Sequence, residues 1–85
     1  MKEYEIRITK QAKKDIETLS PRLRNKLKDI LSEVIAKTPY DGKRLIGELA
    51  GNYSCRLTYQ DRIVYRIDED LHIVYIKRAR THYGE

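Results

Sequence analysis

The alternation of two hydrophobic periods along the chain limits its fold more than any other feature. Apolar residues recur at every second position in YEIRIT (residues 4–9), then at helical spacing through two stretches, and again at every second position in three later segments. Period two is typical of a strand with one buried face, whereas spacings of three and four are typical of an amphipathic helix. The chain is therefore expected to form a strand, two helices and three further strands.

Both helical stretches begin at residues that favour helix starts. Thr9 can cap the first helix, and Ser20 followed by Pro21 ends that helix and starts the second. The second helix carries a stripe of apolar residues at spacings of three and four: Leu23, Leu27, Ile30, Leu31, Val34 and Ile35. The two helices are expected to form a hairpin that lies on one face of a sheet.

The second half of the chain reads as an antiparallel meander. Its strand candidates are YSCRLTY, RIVYRI and LHIVYIKR, and the separators QD and DED are short enough for hairpins. The last candidate is apolar on both faces and is expected to be an interior strand. The predicted class is α+β with the order β-α-α-β-β-β, in a single domain of residues 1–85.

Period two also assigns side chains to faces of the sheet. Tyr53, Cys55, Leu57 and Tyr59 are expected to point inward, and Tyr4, Tyr65 and Tyr75 have the same core parity on their own strands. Arginines of neighbouring strands, Arg56, Arg62 and Arg66, are then expected to gather on one exposed face of the sheet.

The charge and composition of the chain indicate which kinds of partner and cofactor to expect. The net charge of +5 and pI near 9.4 favour a polyanionic partner. No apolar run approaches the roughly 20 residues of a spanning helix, and the first ten residues alternate instead of forming a signal-peptide block. A cytoplasmic protein without membrane association is expected. Because Cys55 is the only cysteine and two histidines give no ligand cluster, neither a disulfide nor a metal or other cofactor is predicted.

The polar tail RARTHYGE, residues 78–85, carries side chains that transfer protons and bind phosphate. Cleavage of RNA by internal attack of the 2′-hydroxyl needs a proton acceptor, a proton donor for the leaving 5′-oxygen, and cations for the charged phosphorane. Histidine titrates near neutrality and suits either proton role, while arginine presents a fork of donors to phosphate. A polar tail and strand arginines that only face solvent would give the same sequence pattern. It is the presence of both in one chain that indicates a site for a phosphodiester.

The segment LAGNYSCRLTYQDRIVYRID and the terminal HY resemble the RelE superfamily of bacterial toxins from type II toxin–antitoxin modules, most closely the Txe/YoeB branch. The resemblance spans nearly the whole chain and is carried by Leu49, Gly51, Tyr53, Ser54, Arg56 and residues 62–65.

The resemblance implies a metal-independent endoribonuclease that enters the ribosomal A site and cuts mRNA. It also implies silencing by an acidic cognate antitoxin, with oligomers formed only through that complex. Arg56 and Arg62 match the phosphate-contacting arginines of the branch, His82 its terminal acid and Tyr83 its substrate-positioning tyrosine. Five further cations are expected to help bind the substrate: Lys43, Arg44, Arg66, Arg78 and Arg80.

The general base departs from the pattern of the branch. Where the branch has a glutamate, this sequence has Lys43, and Glu48 stands five residues further on. Either Glu48 is the base, or Lys43 and Arg44 lie near the phosphate as in the RelE branch. A lysine could act as base only with a pKa well below its usual ~10.4. The sequence leaves these alternatives open.

Three other functions are compatible with the same fold or with the same net charge. A ParE-like inhibitor of DNA gyrase would cut nothing and has no chemical use for the terminal histidine and tyrosine, so their presence favours the nuclease. A plain RNA-binding module is disfavoured because the element order matches none of the common small RNA binders. An inactive relative that keeps only antitoxin binding remains an alternative.

Overall fold

The computed structural model describes residues 2–79, which form a five-stranded sheet and a helical hairpin. The elements are β1 (Glu5–Ile8), α1 (Lys10–Glu17), α2 (Pro21–Ile30), β2 (Lys43–Arg44), β3 (Tyr53–Arg56), β4 (Arg62–Asp68) and β5 (Ile73–Ala79). The strand order is β1-β5-β4-β3-β2, with β1 parallel to β5 and every other pair antiparallel. The predicted α+β class, the meander and the interior position of the last strand are confirmed.

The helix starts follow the predicted caps. The hydroxyl of Thr9 accepts a hydrogen bond from the backbone N–H of Ala12, and that of Ser20 accepts one from Leu23 at 3.3 Å. Pro21 occupies the first turn of α2, where its missing N–H leaves no helical hydrogen bond unmade.

A π-helical turn over Leu31–Ile35 extends α2 and changes which side chains face the core. The N–H of Ala36 donates to the carbonyl of Leu31, five residues back. A turn with this spacing holds more residues than an α-helical one, so the apolar stripe shifts in phase. Ile35 is fully buried, but Val34 is 42% exposed, and its expected place in the stripe is wrong.

The core lies between the hairpin and one face of the sheet. Its members are Ala12, Leu19, Leu27, Leu31, Ile35, Leu57, Ile63, Tyr65, Val74, Ile76 and Ala79. Tyr65 is buried and donates its hydroxyl to the Pro39 carbonyl at 2.6 Å, so its polar end is satisfied. Cys55 is half-buried against this core, and burial raises the pKa of its thiol.

The sheet differs from the sequence expectation in two places. β3 ends at Arg56, three residues early, because Leu57 and Thr58 donate to the Asp61 carbonyl at 2.8 and 3.1 Å and close a turn. Leu57 is buried as expected, but Tyr59 is 91% exposed at the tip of that turn and does not point inward. The two-residue strand β2 was not predicted, since two residues are too short to show a period.

The β4–β5 turn is tied to the start of the chain. The hydroxyls of Tyr4 and Tyr40 donate to one oxygen of Glu69 at 2.7 and 2.8 Å, and the His72 ring stacks on Tyr4. The bond to Glu69 raises the pKa of Tyr4 to about 12. His72 thus has a structural place, at the end of the sheet away from the arginine pair described next.

Candidate functional site on the open sheet face

The sheet face opposite the helices, here called the open face, carries three cross-strand rows of polar side chains. Register places Arg56 opposite Arg62, then Lys43, Ser54, Val64 and Arg78 in one row, then Arg66, Tyr75 and Arg7 in another. The expectation that Arg56, Arg62 and Arg66 share one face is confirmed.

The Arg56–Arg62 pair sets two like charges directly opposite each other on antiparallel strands. Such a pair destabilises a sheet by up to about 1 kcal/mol, because the side chains are close. An anion bound between the two guanidinium groups would offset that repulsion. The pair therefore favours a phosphate ligand at this end of the open face.

A cavity of about 510 Å³, called the groove from here on, opens at the next cross-strand row, that of Val64 and Arg78. The loop of residues 45–52 contributes Glu48, Leu49 and Asn52 to its lining, and the remaining lining residues are Val64, Lys77, Arg78, Thr9 and Gln11. Val64 is buried although it has the parity of the open face, and it lines the same cavity as the loop residues Leu49 and Asn52. The groove thus brings the candidate base Glu48 to the same cavity as two cations.

Internal hydrogen bonds fix the loop that carries Glu48. Leu45 donates its N–H to the Asn52 carbonyl at 2.9 Å, and the Asn52 side-chain amide donates to the Leu49 carbonyl at 3.0 Å. Gly47 and Gly51 have φ of 70° and 93°, which other residues adopt only with strain. Glu48 is held in a 3₁₀ turn between them.

A bulge in β5 explains why two successive cations line the groove. Val64 pairs with Arg78 but Tyr65 pairs with Ile76, so Lys77 is an extra residue without a ladder partner on β4. Successive residues of a regular strand point to opposite faces, and a bulge breaks that alternation. Lys77 was not among the predicted site residues, since strict period two places only one of the pair on each face.

An ion pair with α1 fixes Arg78. β1 ends opposite Ile76, and α1 takes its place beside the last residues of β5. The Asp15 carboxylate there accepts hydrogen bonds from Arg78 Nε at 2.7 Å and from the Ala79 N–H at 3.2 Å. Burial raises the pKa of Asp15, but these hydrogen bonds outweigh burial and leave it below its ordinary value. Sequence reasoning missed Asp15, which looks like any polar residue of a helix.

A second, smaller cavity of about 250 Å³ continues along the open face. It is lined by Thr9, Arg66, Asp68, Tyr75 and Lys77, so it shares Thr9 and Lys77 with the groove. Tyr75 pairs with Arg66 and lies on the open face. The core parity expected for Tyr75 is therefore wrong, whereas that of Tyr65 is right.

The remaining predicted site residues are distributed as follows. Lys43 is exposed on the open face in the row of Arg78, while Arg44 pairs with Tyr53 and has the parity of the opposite face. Arg80, His82 and Tyr83 lie outside the described residues, so their roles stay predictions. Within residues 2–79, no three histidine, cysteine or carboxylate side chains form a metal-ligand group. No helix in that range is long and apolar enough to cross a membrane.

Comparison with known proteins shows that this fold is that of a class of small α+β toxins. The chain is 36% identical over 78 residues to Toxin RelG of Mycobacterium tuberculosis, covering 89% of this chain and 87% of that protein. No family model matches the sequence.

Two solved structures extend the likeness. A chain in the toxin–antitoxin complex RelBE2 from Mycobacterium tuberculosis superimposes with a TM-score of 0.88 at 32% identity, over 96% of this chain and 94% of that one. The YoeB/ParE toxin from Agrobacterium tumefaciens gives 0.82 at 26% identity, over 93% and 99%. The chain belongs to the RelE/YoeB superfamily of toxins from toxin–antitoxin modules.

Proposed function

We propose that this toxin is a ribosome-dependent endoribonuclease that cuts mRNA in the A site and is silenced by an acidic antitoxin. The observation that carries the proposal is the groove: Glu48 shares one cavity with Lys77 and Arg78, and the Arg56–Arg62 pair occupies the neighbouring cross-strand row. A carboxylate close to several cations suits removal of a proton next to a phosphate whose charge increases during the reaction.

The chemistry divides among these groups. Glu48 removes the 2′-hydroxyl proton, and the 2′-oxygen attacks the adjacent phosphorus. Arg56 and Arg62 stabilise the charged phosphorane, because a guanidinium donates two parallel hydrogen bonds and stays charged. The bond to the 5′-oxygen then breaks, and His82 protonates that oxygen while Tyr83 positions a nucleotide. The products are a 2′,3′-cyclic phosphate and a 5′-hydroxyl.

The groove supports Glu48 over Lys43 as the base. Glu48 lines the cavity, whereas Lys43 lies on the two-residue edge strand and is not among the groove's lining residues. Lys43 and Arg78 share a cross-strand row, so a phosphate-binding role suits Lys43 better. Arg66 and Arg78 are proposed to bind the RNA backbone, together with Arg80 of the tail.

The first experiment is primer extension on a defined mRNA in a reconstituted translation reaction, with and without ribosomes. Wild-type protein is expected to cut at A-site codons only when ribosomes are present, leaving 5′-hydroxyl ends, and His82→Gln is expected to abolish the cuts. Undiminished cleavage by His82→Gln would remove the acid assignment. No cuts in any reaction would favour gyrase inhibition, which a supercoiling assay measures directly, or an inactive relative.

The base is tested with three matched variants in the same assay. Glu48→Gln keeps the shape of the side chain and is expected to lower the cleavage rate by about 10²- to 10⁴-fold, the range for general acid–base groups. Glu17→Gln, an exposed change on α1, is the control and should cut like wild type. If Lys43→Gln loses activity and Glu48→Gln does not, the base assignment moves to Lys43.

The antitoxin is proposed to cover the open face, where its acidic side chains would meet the arginine rows. RelBE2, which this chain resembles, is a toxin–antitoxin complex. Arg62→Glu reverses one charge of the Arg56–Arg62 pair and is expected to weaken antitoxin binding measured by calorimetry. Lys28→Glu, on the exposed side of α2, should leave the affinity unchanged and would contradict the placement if it weakened binding equally.

A further inference from the structure

The row of Arg7, Tyr75 and Arg66 crosses three strands of the open face, and of these residues only Arg66 has a role in the function proposed above, as a contact to the RNA backbone. Tyr75 on β5 is flanked by Arg66 on β4 and by Arg7 on β1, and it is half-buried. An aromatic ring between arginines on an open sheet face is the arrangement with which single-strand RNA binders stack a base and bind its phosphate.

The second cavity lies at this row and opens beside the groove. Tyr75, Arg66 and Lys77 line it, and Thr9 and Lys77 belong to both cavities. An RNA strand with its scissile phosphate in the groove can therefore continue across Lys77 onto Tyr75. The two cavities therefore adjoin at Thr9 and Lys77.

We propose that the second cavity is an RNA subsite for a nucleotide that flanks the scissile phosphate. The base stacks on the Tyr75 ring, and its phosphate lies between Arg66 and Lys77. This inference rests on the proposed function for the presence of a scissile phosphate in the groove, but RNA binding at Tyr75 can be measured without cleavage.

Two carboxylates near the row limit its positive charge without closing it to RNA. Asp68 lines the cavity, and its Oδ1 accepts the Leu71 N–H of the following turn. Glu5 forms an ion pair with Arg7 in which both side chains are more than half exposed. An exposed pair of this kind is weak because solvent and salt screen it, so a phosphate can compete for Arg7.

The test measures binding of a labelled oligouridylate of about twelve nucleotides by fluorescence anisotropy at low salt. Tyr75→Ala is expected to raise the dissociation constant by about 5- to 150-fold, the loss of one stacked base. Tyr75→Phe keeps the ring and should stay within about twofold of wild type. Tyr59→Ala is the matched control, because it removes a tyrosine that is 91% exposed outside both cavities.

The outcomes separate this subsite from the nuclease proposal. Equal binding by Tyr75→Ala and Tyr59→Ala, or no binding by wild-type protein, overturns the subsite even if wild type cuts mRNA. If Tyr75→Ala weakens binding of an acidic antitoxin peptide but not of the oligouridylate, the subsite is also overturned, in favour of a protein contact. If Tyr75→Ala alone loses RNA affinity while wild type shows no cleavage, the subsite stands and the nuclease proposal fails. Urea unfolding of each variant shows whether a loss of binding reflects a loss of folding.

Discussion

Asp15 shows at the level of one residue how a buried charge can order a site that it does not line. Its side chain is 3% exposed, and its hydrogen bonds to Arg78 and to the Ala79 N–H hold the last described residues of β5 against α1. The Ala79 N–H has no β1 residue beside it, so the carboxylate supplies the acceptor that a strand neighbour would otherwise provide.

Replacing Asp15 by asparagine is expected to lower the free energy of unfolding by about 1.5–3 kcal/mol, the range for hydrogen bonds to charged groups. The folded-state pKa of Asp15 lies below its unfolded value of 3.8, so its stabilisation is fully present above that pH and is lost as pH falls through the folded pKa. Urea unfolding should show a difference in the free energy of unfolding between wild type and Asp15→Asn, and this difference should disappear in acid. Asp29→Asn, an exposed change on α2, should have the same free energy of unfolding as wild type. A difference for Asp15→Asn that stays constant at all pH values would contradict the role given to the Asp15 carboxylate.

Gly42 is constrained by Tyr65. A Cβ at Gly42 would lie 2.0 Å from the Tyr65 hydroxyl oxygen and 3.0 Å from the Ser54 carbonyl. Gly42→Ala is therefore expected to destabilise the fold by about 1–3 kcal/mol through overpacking. In urea unfolding, Gly42→Ala combined with Tyr65→Phe should cost less than the two single changes added, because the clashing oxygen is gone. Strict additivity would show that the two residues do not collide.

At the level of elements, Thr9 joins α1 to β5. Its hydroxyl accepts from the Ala12 N–H at 3.3 Å and donates to the Ile76 carbonyl at 2.8 Å, while its own N–H donates to that carbonyl at 3.1 Å. One side chain thus caps the helix and also binds the strand beside it. Because Thr9 lines both cavities, this junction sets the spacing between helix and groove.

Thr9→Ala is expected to lower the free energy of unfolding by about 1.5–3 kcal/mol, since it removes a cap and a bond to the sheet. Ser20→Ala removes a cap alone and should cost about 1 kcal/mol. Thr9→Ser keeps the hydroxyl and should recover most of the loss. Equal costs for the two alanine variants in thermal unfolding would show that the bond to Ile76 contributes nothing measurable.

At the level of the whole molecule, basic residues lie both on the open face and on the helical hairpin, where residues 10–37 hold eight lysines and arginines against four carboxylates. The open face collects arginines from β1, β3, β4 and β5, with Lys43 at the β2 edge and Asp68 at the end of β4, and Glu69 and Asp70 follow in the turn after β4. A basic surface of this kind attracts a polyanion, and the attraction weakens with ionic strength.

Salt dependence measures how many of these cations contact RNA. For single strands, the slope of log K against log salt is about −0.7 for each phosphate neutralised. Arg66→Gln should therefore make the slope shallower by about 0.7, while Lys28→Gln on the outer side of α2 should leave it unchanged. The measurement is anisotropy across a salt series, and an unchanged slope for Arg66→Gln would place RNA elsewhere.

Sequence reasoning succeeded where a property is local. The helix caps, the existence of four of the five strands of the described sheet, the interior position of β5 and the gathering of Arg56, Arg62 and Arg66 on one face all follow from hydrogen-bonding residues and periodicity. The predicted chemistry of His82 and Tyr83 stays a prediction, since both residues lie outside the described range.

The errors occur where the hydrophobic period changes or where both faces of a strand are apolar. Val34 was assigned to the core because a helical stripe was counted through a π turn, and Tyr75 because both faces of β5 are rich in apolar residues. The bulge at Lys77 brings two successive cations to one cavity, which strict alternation does not allow.

The sequence by itself determined the order of elements, the class of fold and the basic character of the open face, because periodicity, capping and charge depend on near neighbours in the chain. Tertiary structure decided which residues share the groove. Glu48 and Arg78 are thirty residues apart in sequence, and Asp15 meets Arg78 only because α1 packs where β1 ends. Contacts of that kind depend on register, the bulge and helix packing, and no local pattern encodes them.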